Sequence, residues 1–369
     1  MRICFDARKI ADFGIGQYIQ NLLTALLQFD EDFSLHLVLK PETPETVVPV
    51  DGRVSTSVVR AGVYSVREQF IMPWKSCRMK PDLVHIPHYN IPVLAARPLV
   101  ATIHDLIHLR FPGQVPSFLA RMYARMMFLL LTKRCRRMIA ISRCTANDLQ
   151  ILAGADAQKI RTIPYGKDER FQPQGRGPSV DIPGVEPHEP VLLVVGNCKP
   201  HKNVEIVLDA MSRMASPRTF KLVVAGGSEV DRYRVGARAV VNRVMGDVIL
   251  LGPVPHEQLP GLYRRATALA FPSLYEGFGL PPLEAMSCGC PVLASTAASI
   301  PEVVGDAAWN LSPTDVATWR EAIQKIMADE GRRQALKKEG LKRVKHFSWT
   351  LAAEETFRVY REVAEGGAR

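Results

Sequence analysis

The stretch FPSLYEGFGLPPLEAMSCGCPV, residues 271–292, is the most informative segment of this 369-residue chain. It starts at the end of an apolar run, Ala268–Phe271, passes through a glycine-rich turn, and reaches a proline pair suited to the first turn of a helix. Another apolar run, Val292–Ala294, follows. Strand, turn, helix and strand in this order predict a βαβ unit, whose two strands lie parallel in one sheet.

The same alternation extends over the rest of the chain and predicts an α/β fold with two parallel sheets. In the first half we predict strands at Ile3–Asp6, Leu35–Leu39, Leu83–Ile86, Leu99–His104, Met138–Ile141 and Ile160–Ile163. In the second half, the further strands are Val191–Val195, Lys221–Ala225 and Val248–Leu251. The clearest helices are Gln17–Phe29, Arg143–Leu152 with Ser142 as N-cap, Val204–Met214, Gln258–Arg265 and Thr350–Val363.

The chain length and the positions of glycine and proline predict two domains. The chain exceeds the ~250–300 residues at which one hydrophobic core stops growing. Glycines and prolines interrupt every periodicity between Tyr165 and Pro190. We therefore expect a Rossmann-like domain over residues 1–170, a linker over 171–190, a second Rossmann-like domain over 191–348, and a final helix over 349–369. Ligands of paired Rossmann-like domains bind near the carboxyl ends of the strands, so an interdomain cleft is the expected site.

Composition and the amino-terminal sequence favour a cytoplasmic protein. The chain begins directly with a predicted strand, and the seven cysteines are odd in number and scattered, which suits a reducing compartment. The longest apolar run, Met126–Leu131, is far shorter than the ~18 residues of a membrane span. Cys288 and Cys290 lack a second Cys or His pair at ligand spacing, so we expect them to be structural.

The formal charge of +10 is concentrated in the first half. Residues 1–173 hold 23 Lys and Arg against 15 Asp and Glu, or +8, and the remainder holds 24 against 22, or +2. The densest basic segment is 117–137. We interpret it as a core-packed helix with a solvated basic face, and peripheral contact with anionic lipid at the inner membrane face stays open. No nucleic acid partner is expected, because no recognised binding motif accompanies the charge.

In each half of the chain, a loop that contains glycine follows the first predicted strand. Gly14 and Gly16 precede a helix, where glycine lets the backbone approach a phosphate and the helix N-terminus supplies N–H donors. A simple turn is the other interpretation of these two glycines. In the second loop, Gly196 and Asn197 are followed by Lys202 just before a helix, and an ordinary surface loop is the other interpretation. Lys202 is the best candidate for neutralising a departing nucleoside diphosphate.

The segment 271–292 carries two glutamates, Glu276 and Glu284, with seven residues between them. The amides of Phe278, Gly279 and Leu280 follow the first glutamate and would face a diphosphate and a sugar. Glu284 lies one turn into the predicted helix, from which it can reach a ribose. This combination predicts a nucleotide-sugar site.

The whole segment resembles the E-x7-E signature of family 4 retaining glycosyltransferases, and the likeness extends along nearly the full chain. The resemblance implies the GT-B fold, with two Rossmann-like domains facing across a cleft and a C-terminal helix that crosses back to the N-terminal domain. The further matching segments are Gly14–Gly16, Thr102–Leu106, Ile141–Leu149, Ser299–Asp306 and Phe347–Trp349.

The resemblance also implies roles for individual residues. Lys202 would bind the diphosphate, Glu284 the ribose and Glu276 the donor sugar. His104 would lie beside the transferred sugar, and Gly16 would line the phosphates. We therefore expect Glu276, His104 and Lys202 to be the catalytic residues, with Glu276 positioning the sugar and not attacking it.

One departure from the family pattern concerns Asn197, because many members have an arginine there. Lys199 or His201 is the candidate for supplying that charge. Three histidines near His104, namely His85, His88 and His108, lack carboxylates at ligand spacing. We therefore expect no metal site.

The expected function is metal-independent retaining transfer of a hexosyl group, preferably mannosyl, in cell-surface polysaccharide biosynthesis. The donor would be a GDP or UDP sugar, no cofactor is expected, and the acceptor would be a glycan or a lipid-linked glycan bound by the basic N-terminal domain. A sugar-nucleotide epimerase of the same fold and a non-catalytic nucleotide-sugar-binding protein are the alternatives. A dehydrogenase is disfavoured because the third glycine of G-x-G-x-x-G is missing after Gly14 and Gly16.

Overall fold

The computed structural model describes residues 1–12, 14–62, 67–92, 94–95, 98–115, 117–174 and 180–366. It divides the chain into two compact units, one formed by Met1–Gly166 with Ser348–Arg369 and the other by Lys167–Phe347. Residues 167–174 and 180–190 thus belong to the second unit, where Phe171, Ile182 and Val185 are buried. The other predicted linker residues, 175–179, lie outside the described residues.

The first unit is built on a parallel sheet. Its strands are β1 (Arg2–Asp6), β2 (Ser34–Leu39), β3 (Val54–Val58), β4 (Leu83–Ile86), β5 (Leu99–Ile103), β6 (Cys135–Ala140) and β7 (Ile160–Thr162). They lie in the order β3-β2-β1-β4-β5-β6-β7. The connecting helices are α1 (Ile15–Leu26), α2 (Glu68–Arg78), α3 (Ile107–Arg110), α4 (Phe118–Arg134) and α5 (Arg143–Ala153).

Local chemistry explains how these elements begin and end. Ser142 caps α5 as predicted, since its hydroxyl accepts the backbone N–H of Thr145 at 3.0 Å. The sequence did not reveal β3, whose residues are mostly polar and half exposed. β3 lies at the edge of the sheet, where His36 of β2 bonds the hydroxyls of Ser55 and Ser57 at 2.9 Å each. An edge strand buries little apolar surface, so it lacks the apolar run that identifies a central strand.

The second unit repeats the design with a six-stranded parallel sheet. Its strands are β8 (Val191–Val195), β9 (Lys221–Ala225), β10 (Val248–Gly252), β11 (Ala268–Phe271), β12 (Val292–Ser295) and β13 (Trp309–Leu311). They lie in the order β10-β9-β8-β11-β12-β13. The helices are α6 (Val204–Ser212), α7 (Glu229–Val241), α8 (Leu259–Arg265), α9 (Leu280–Ser287), α10 (Ile300–Val304), α11 (Val316–Ala328) and α12 (Glu330–Arg343).

The final helix, α13 (Trp349–Glu365), returns to the first unit as predicted. It packs along α1, and the hydroxyl of buried Tyr360 lies 2.5 Å from Nδ1 of His85 in β4. Its first residue, Trp349, stacks on Tyr165 with ring centroids 5.5 Å apart. These contacts explain why residues so distant in sequence fold together.

The start of α13 leaves no room for a side chain at Gly166. A Cβ there would lie 2.1 Å from the backbone nitrogen of Trp349. We expect Gly166→Ala to lower the free energy of unfolding by about 1–3 kcal/mol, because the backbone must shift to admit the methyl group. The measurement is a urea titration followed by circular dichroism. Gly52→Ala is the control, since a Cβ at Gly52 meets nothing within 4 Å, and equal losses for both variants would contradict the prediction.

Candidate functional site

The strand order of the second sheet creates one crevice at its carboxyl edge. Chain order runs outward from β8 to β9 and β10 on one side, and from β11 to β12 and β13 on the other. The loops that leave β8 and β11 therefore diverge, and ligands of such sheets bind in the gap between them. Lys202 lies on the first of these loops and Glu276 on the second.

Backbone and amide hydrogen bonds tie the two loops together. The N–H of Leu274 donates to the carbonyl of His201 at 2.8 Å. The side-chain amide of Asn203 donates to the carbonyl of Pro272 at 3.1 Å and to that of Pro313 at 2.8 Å. These bonds fix the relative position of Lys202 and Glu276, which are 74 residues apart in sequence.

Lys202 and Glu276 form an ion pair. The ammonium nitrogen of Lys202 lies 2.7 Å from Oε1 and 2.9 Å from Oε2 of Glu276. Their side chains are 18% and 13% exposed, so both groups reach solvent. A carboxylate and an ammonium group in this position supply one acceptor for hydroxyl groups and one positive charge for a phosphate.

The turn after Glu276 is held open by glycine and serine. Gly279 adopts φ 117° at the N-cap of α9, a conformation that favours glycine. Prolines 281 and 282 carry no N–H, so Gly279 and Leu280 provide the amide donors at this helix start. The hydroxyl of buried Ser299 shares its one proton between the carbonyls of Glu276 and Phe278, at 2.9 and 2.8 Å. Bonding both carbonyls fixes the turn that carries the predicted amide cradle.

Glu284 lies in α9 and is 8% exposed. The hydroxyl of Tyr263 donates to its Oε2 at 2.8 Å, and Nε2 of His256 lies 3.7 Å from its Oε1. Burial, followed by the nearby Glu284 charge, raises the pKa of Tyr263 well above its ordinary value. Sequence reasoning missed Tyr263, because α8 shows no motif that identifies a partner of the glutamate.

The glycine loop after β8 has fewer candidates for a positive charge than the sequence indicated. Gly196 has φ 151°, and Oδ1 of Asn197 accepts the N–H of Lys199 at 3.2 Å. Burial and the adjacent Lys202 lower the pKa of His201 to about 4, so this ring is neutral at pH 7. His201 therefore does not replace the arginine that many family members have, and exposed Lys199 is the remaining candidate.

His104 lies in the first unit, beyond the end of β5. Its Nε2 lies 2.8 Å from the carbonyl of Pro87, which can only accept, so this nitrogen carries the proton. Nδ1 accepts from the hydroxyl of Tyr165. Burial lowers the pKa of His104 to about 4, which leaves a neutral ring at pH 7. Both nitrogens are engaged, so the side chain is oriented and is poorly suited to accept a proton.

The fold requires glycine at both positions of the first loop, for a different reason at each. Gly14 is the N-cap of α1, with φ 66°. A Cβ on Gly16 would lie 2.6 Å from the carbonyl oxygen of Ile10, so the first turn of α1 needs glycine for close packing. Their predicted contact with phosphate stays a prediction.

A buried ion cluster lies at the carboxyl ends of β1 and β4. Arg8 makes two hydrogen bonds to Asp6, at 2.8 and 2.6 Å, and pairs with Glu68. Nε2 of His88 lies 3.2 Å from Asp6. The oxygen and nitrogen atoms of Asp6, Glu68 and His88 are close enough to suggest metal ligands, but the guanidinium of Arg8 already supplies the positive charge between the two carboxylates.

Comparison with protein families gives two matches that together cover most of the chain. Residues 14–171 match the family described as Glycosyltransferase Family 4, and residues 180–343 match Glycosyl transferases group 1. The chain is 30% identical over 297 residues to the O-antigen chain mannosyltransferase B of Escherichia coli, covering 78% of this chain and 76% of that protein.

Solved structures share the fold. Sucrose-phosphate synthase from Thermosynechococcus elongatus has a TM-score of 0.79 at 22% identity, covering 99% of this chain and all of that one. HepE of Anabaena, solved in complex with UDP and glucose, has a TM-score of 0.75 at 18% identity and covers 98% of this chain and all of its own. At these identities the likeness concerns the fold, and it confirms the predicted pair of Rossmann-like domains of the GT-B type.

The bond between Tyr263 and Glu284 can be tested by stability. Tyr263→Phe leaves a buried carboxylate without one of its donors, so we expect the free energy of unfolding to fall by about 1–3 kcal/mol. Tyr233→Phe, at a residue that is 80% exposed, should change it by less than about 0.5 kcal/mol. Urea titration of both variants is the measurement. A loss at Tyr263 no larger than at Tyr233 would show that the bond does not stabilise the fold.

Proposed function

The chain belongs to glycosyltransferase family 4, and on this basis we propose that it transfers a hexosyl group, preferably mannosyl, from a nucleotide-diphosphate sugar. The acceptor in this proposal is a glycan or a lipid-linked glycan of a cell-surface polysaccharide. The name of the Escherichia coli relative supports both the mannosyl group and the polysaccharide. The complex of HepE with UDP and glucose supports a nucleotide-sugar donor. In this proposal the nucleotide is GDP or UDP.

The observation that carries the proposal is the ion pair between Lys202 and Glu276 at the crevice of the second sheet. When a glycosidic bond to a diphosphate breaks, negative charge grows on the phosphate oxygens. Lys202 can share its ammonium protons between Glu276 and such an oxygen, because its side chain is partly exposed and has three donors. Glu276 can then accept hydrogen bonds from sugar hydroxyls.

Glu284 fits the ribose. Tyr263 occupies one lone pair of Oε2, and a carboxylate has about four acceptor positions in all. The remaining positions can accept both hydroxyls of a ribose. Tyr263 thus fixes the direction in which Glu284 presents them.

The proposed mechanism retains the anomeric configuration and uses no divalent cation. The departing diphosphate would accept the proton of the acceptor hydroxyl on the same face of the sugar, while Lys202 and the amides of Gly279 and Leu280 stabilise its charge. Glu276 then positions the sugar and forms no covalent intermediate. His104 of the first unit is neutral and held by two hydrogen bonds, and a contact between this ring and the transferred sugar stays a prediction.

An epimerase and a binding protein of the same fold are the competing functions. An epimerase would interconvert two nucleotide sugars without consuming them, and a binding protein would leave the donor unchanged. The protein is incubated with its preferred donor, and the released nucleoside diphosphate is measured. Only sugar transfer releases it, so this measurement distinguishes transfer from the other two functions. We expect release, slow with water and faster with the correct acceptor.

The donor site can be tested by thermal stabilisation with GDP, UDP, ADP and their sugars, with and without EDTA. We expect one nucleotide to raise the melting temperature, EDTA to leave the shift intact, and Lys202→Ala to weaken binding by about tenfold to a hundredfold through loss of a charged contact. Isothermal titration gives the dissociation constants.

Lys338→Ala is the matched control, because Lys338 is an exposed lysine of the same unit. It should bind the nucleotide as tightly as the unmodified protein. If no nucleotide shifts the melting temperature, the donor assignment fails. If EDTA abolishes the shift, the metal-free form of the proposal is wrong.

A further inference from the structure

Helix α4 presents two apolar faces. One face packs into the first unit through Ala124, Met127, Phe128 and Leu131, which are buried. The sequence interpretation of a core-packed helix is therefore correct for this face. The opposite face was expected to be basic and solvated, but the structure shows it to be largely apolar.

The exposed apolar residues of α4 form one continuous strip. They are Phe118, Leu119, Met122, Met126 and Leu129, between 48% and 78% exposed. At 3.6 residues per turn they fall within an arc of about 100°. Isolated exposed apolar residues are ordinary in proteins, but a continuous strip marks an interaction surface.

The charged residues of α4 are all basic. Arg121 and Arg125 follow one edge of the strip, and Lys133 and Arg134 lie in the last turn of the helix. Residues 106–147 contain eight Lys and Arg and no Asp or Glu. This part of the chain is therefore positively charged and attracts a surface of negative charge.

A pocket lined mainly by apolar residues opens beside the same helix. It has a volume of about 330 Å³ and is lined by Leu109, Phe128, Leu129, Leu152 and Ala153, with Arg125 as its charged member. Ile151, which precedes Leu152 in α5, is 77% exposed. The pocket offers apolar chains a place next to a guanidinium that can bind a phosphate.

We propose that the apolar strip of α4, with its surrounding Lys and Arg residues, docks the first unit onto a membrane surface of anionic lipids. In this arrangement the strip enters the boundary between headgroups and acyl chains, with the helix lying parallel to the membrane plane. The basic residues pair with lipid phosphates. Among the described residues, no helix has the length and apolar character of a membrane span.

The charge distribution favours lipid over a second protein. Interfaces between proteins are depleted of charge in the buried core and have charges of both signs at the rim. Here every charged residue of α4 is basic, which is the pattern of helices that bind anionic bilayers. Docking is independent of sugar transfer, so it can be tested without a donor or an acceptor.

The test is co-sedimentation of the full chain with vesicles of phosphatidylcholine alone or mixed with equal parts of phosphatidylglycerol. We expect binding to the anionic vesicles that weakens with salt. The combined variant Met122→Ser, Met126→Ser, Leu129→Ser should bind about tenfold or more weakly, and Arg125→Gln with Lys133→Gln should have an effect of similar size.

The matched control is the combined variant Val230→Ser, Val240→Ser, Val241→Ser. These residues of α7 are 61–77% exposed but lie among charges of both signs. The control should bind vesicles like the unmodified protein. Hydrogen exchange with and without vesicles gives a reading that needs no variant, and protection should appear at residues 118–130. Equal binding to neutral vesicles, equal losses in both apolar variants, or protection confined to α7 would overturn the proposal.

Discussion

The parallel arrangement of the strands is the constraint on which both units depend. Each parallel connection must cross over a face of the sheet, so the chain builds outward from its first strand and then resumes on the other side. In both sheets the strand order reverses its direction between the first and fourth strands of the unit. These neighbouring strands are β1 and β4 in one sheet, and β8 and β11 in the other. The two loops that leave the sheet at each reversal diverge, and the chemistry of each unit is concentrated there.

The charged side chains at the two points where the strand order reverses are arranged differently. In the first unit, Arg8 lies between Asp6 and Glu68 with its side chain fully buried, so the protein neutralises its own carboxylates. The guanidinium of Arg8 holds the pKa of Asp6 well below its ordinary range despite burial. In the second unit, Lys202 and Glu276 stay partly exposed and can exchange partners. This asymmetry supports assigning the charged donor to the second unit.

The sequence predicted the central strands because their residues are buried on both faces and form apolar runs. It missed β3 and β13, which are short or polar edge strands. It proposed Lys202 from a loop and Glu276 and Glu284 from a motif, and these site assignments stay predictions. It could not show the bond between Lys202 and Glu276, because that depends on the contact of Leu274 with His201. Tyr263 was also missed. Positioning residues carry no local pattern, since their role is defined only by the partner they reach.

Helix α4 shows a different limit of sequence interpretation. A helix with apolar residues all around it is usually buried, so its composition indicates a core position. The structure buries only one face, because α4 lies on the outside of its sheet and nothing among the described residues covers Met122 and Met126. The apolar pattern of the sequence thus identifies residues that avoid water. The fold decides whether these residues are buried within the protein or stay available to a surface such as a membrane. For α4, the excess of positive charge favours a phase with negative charge at its surface.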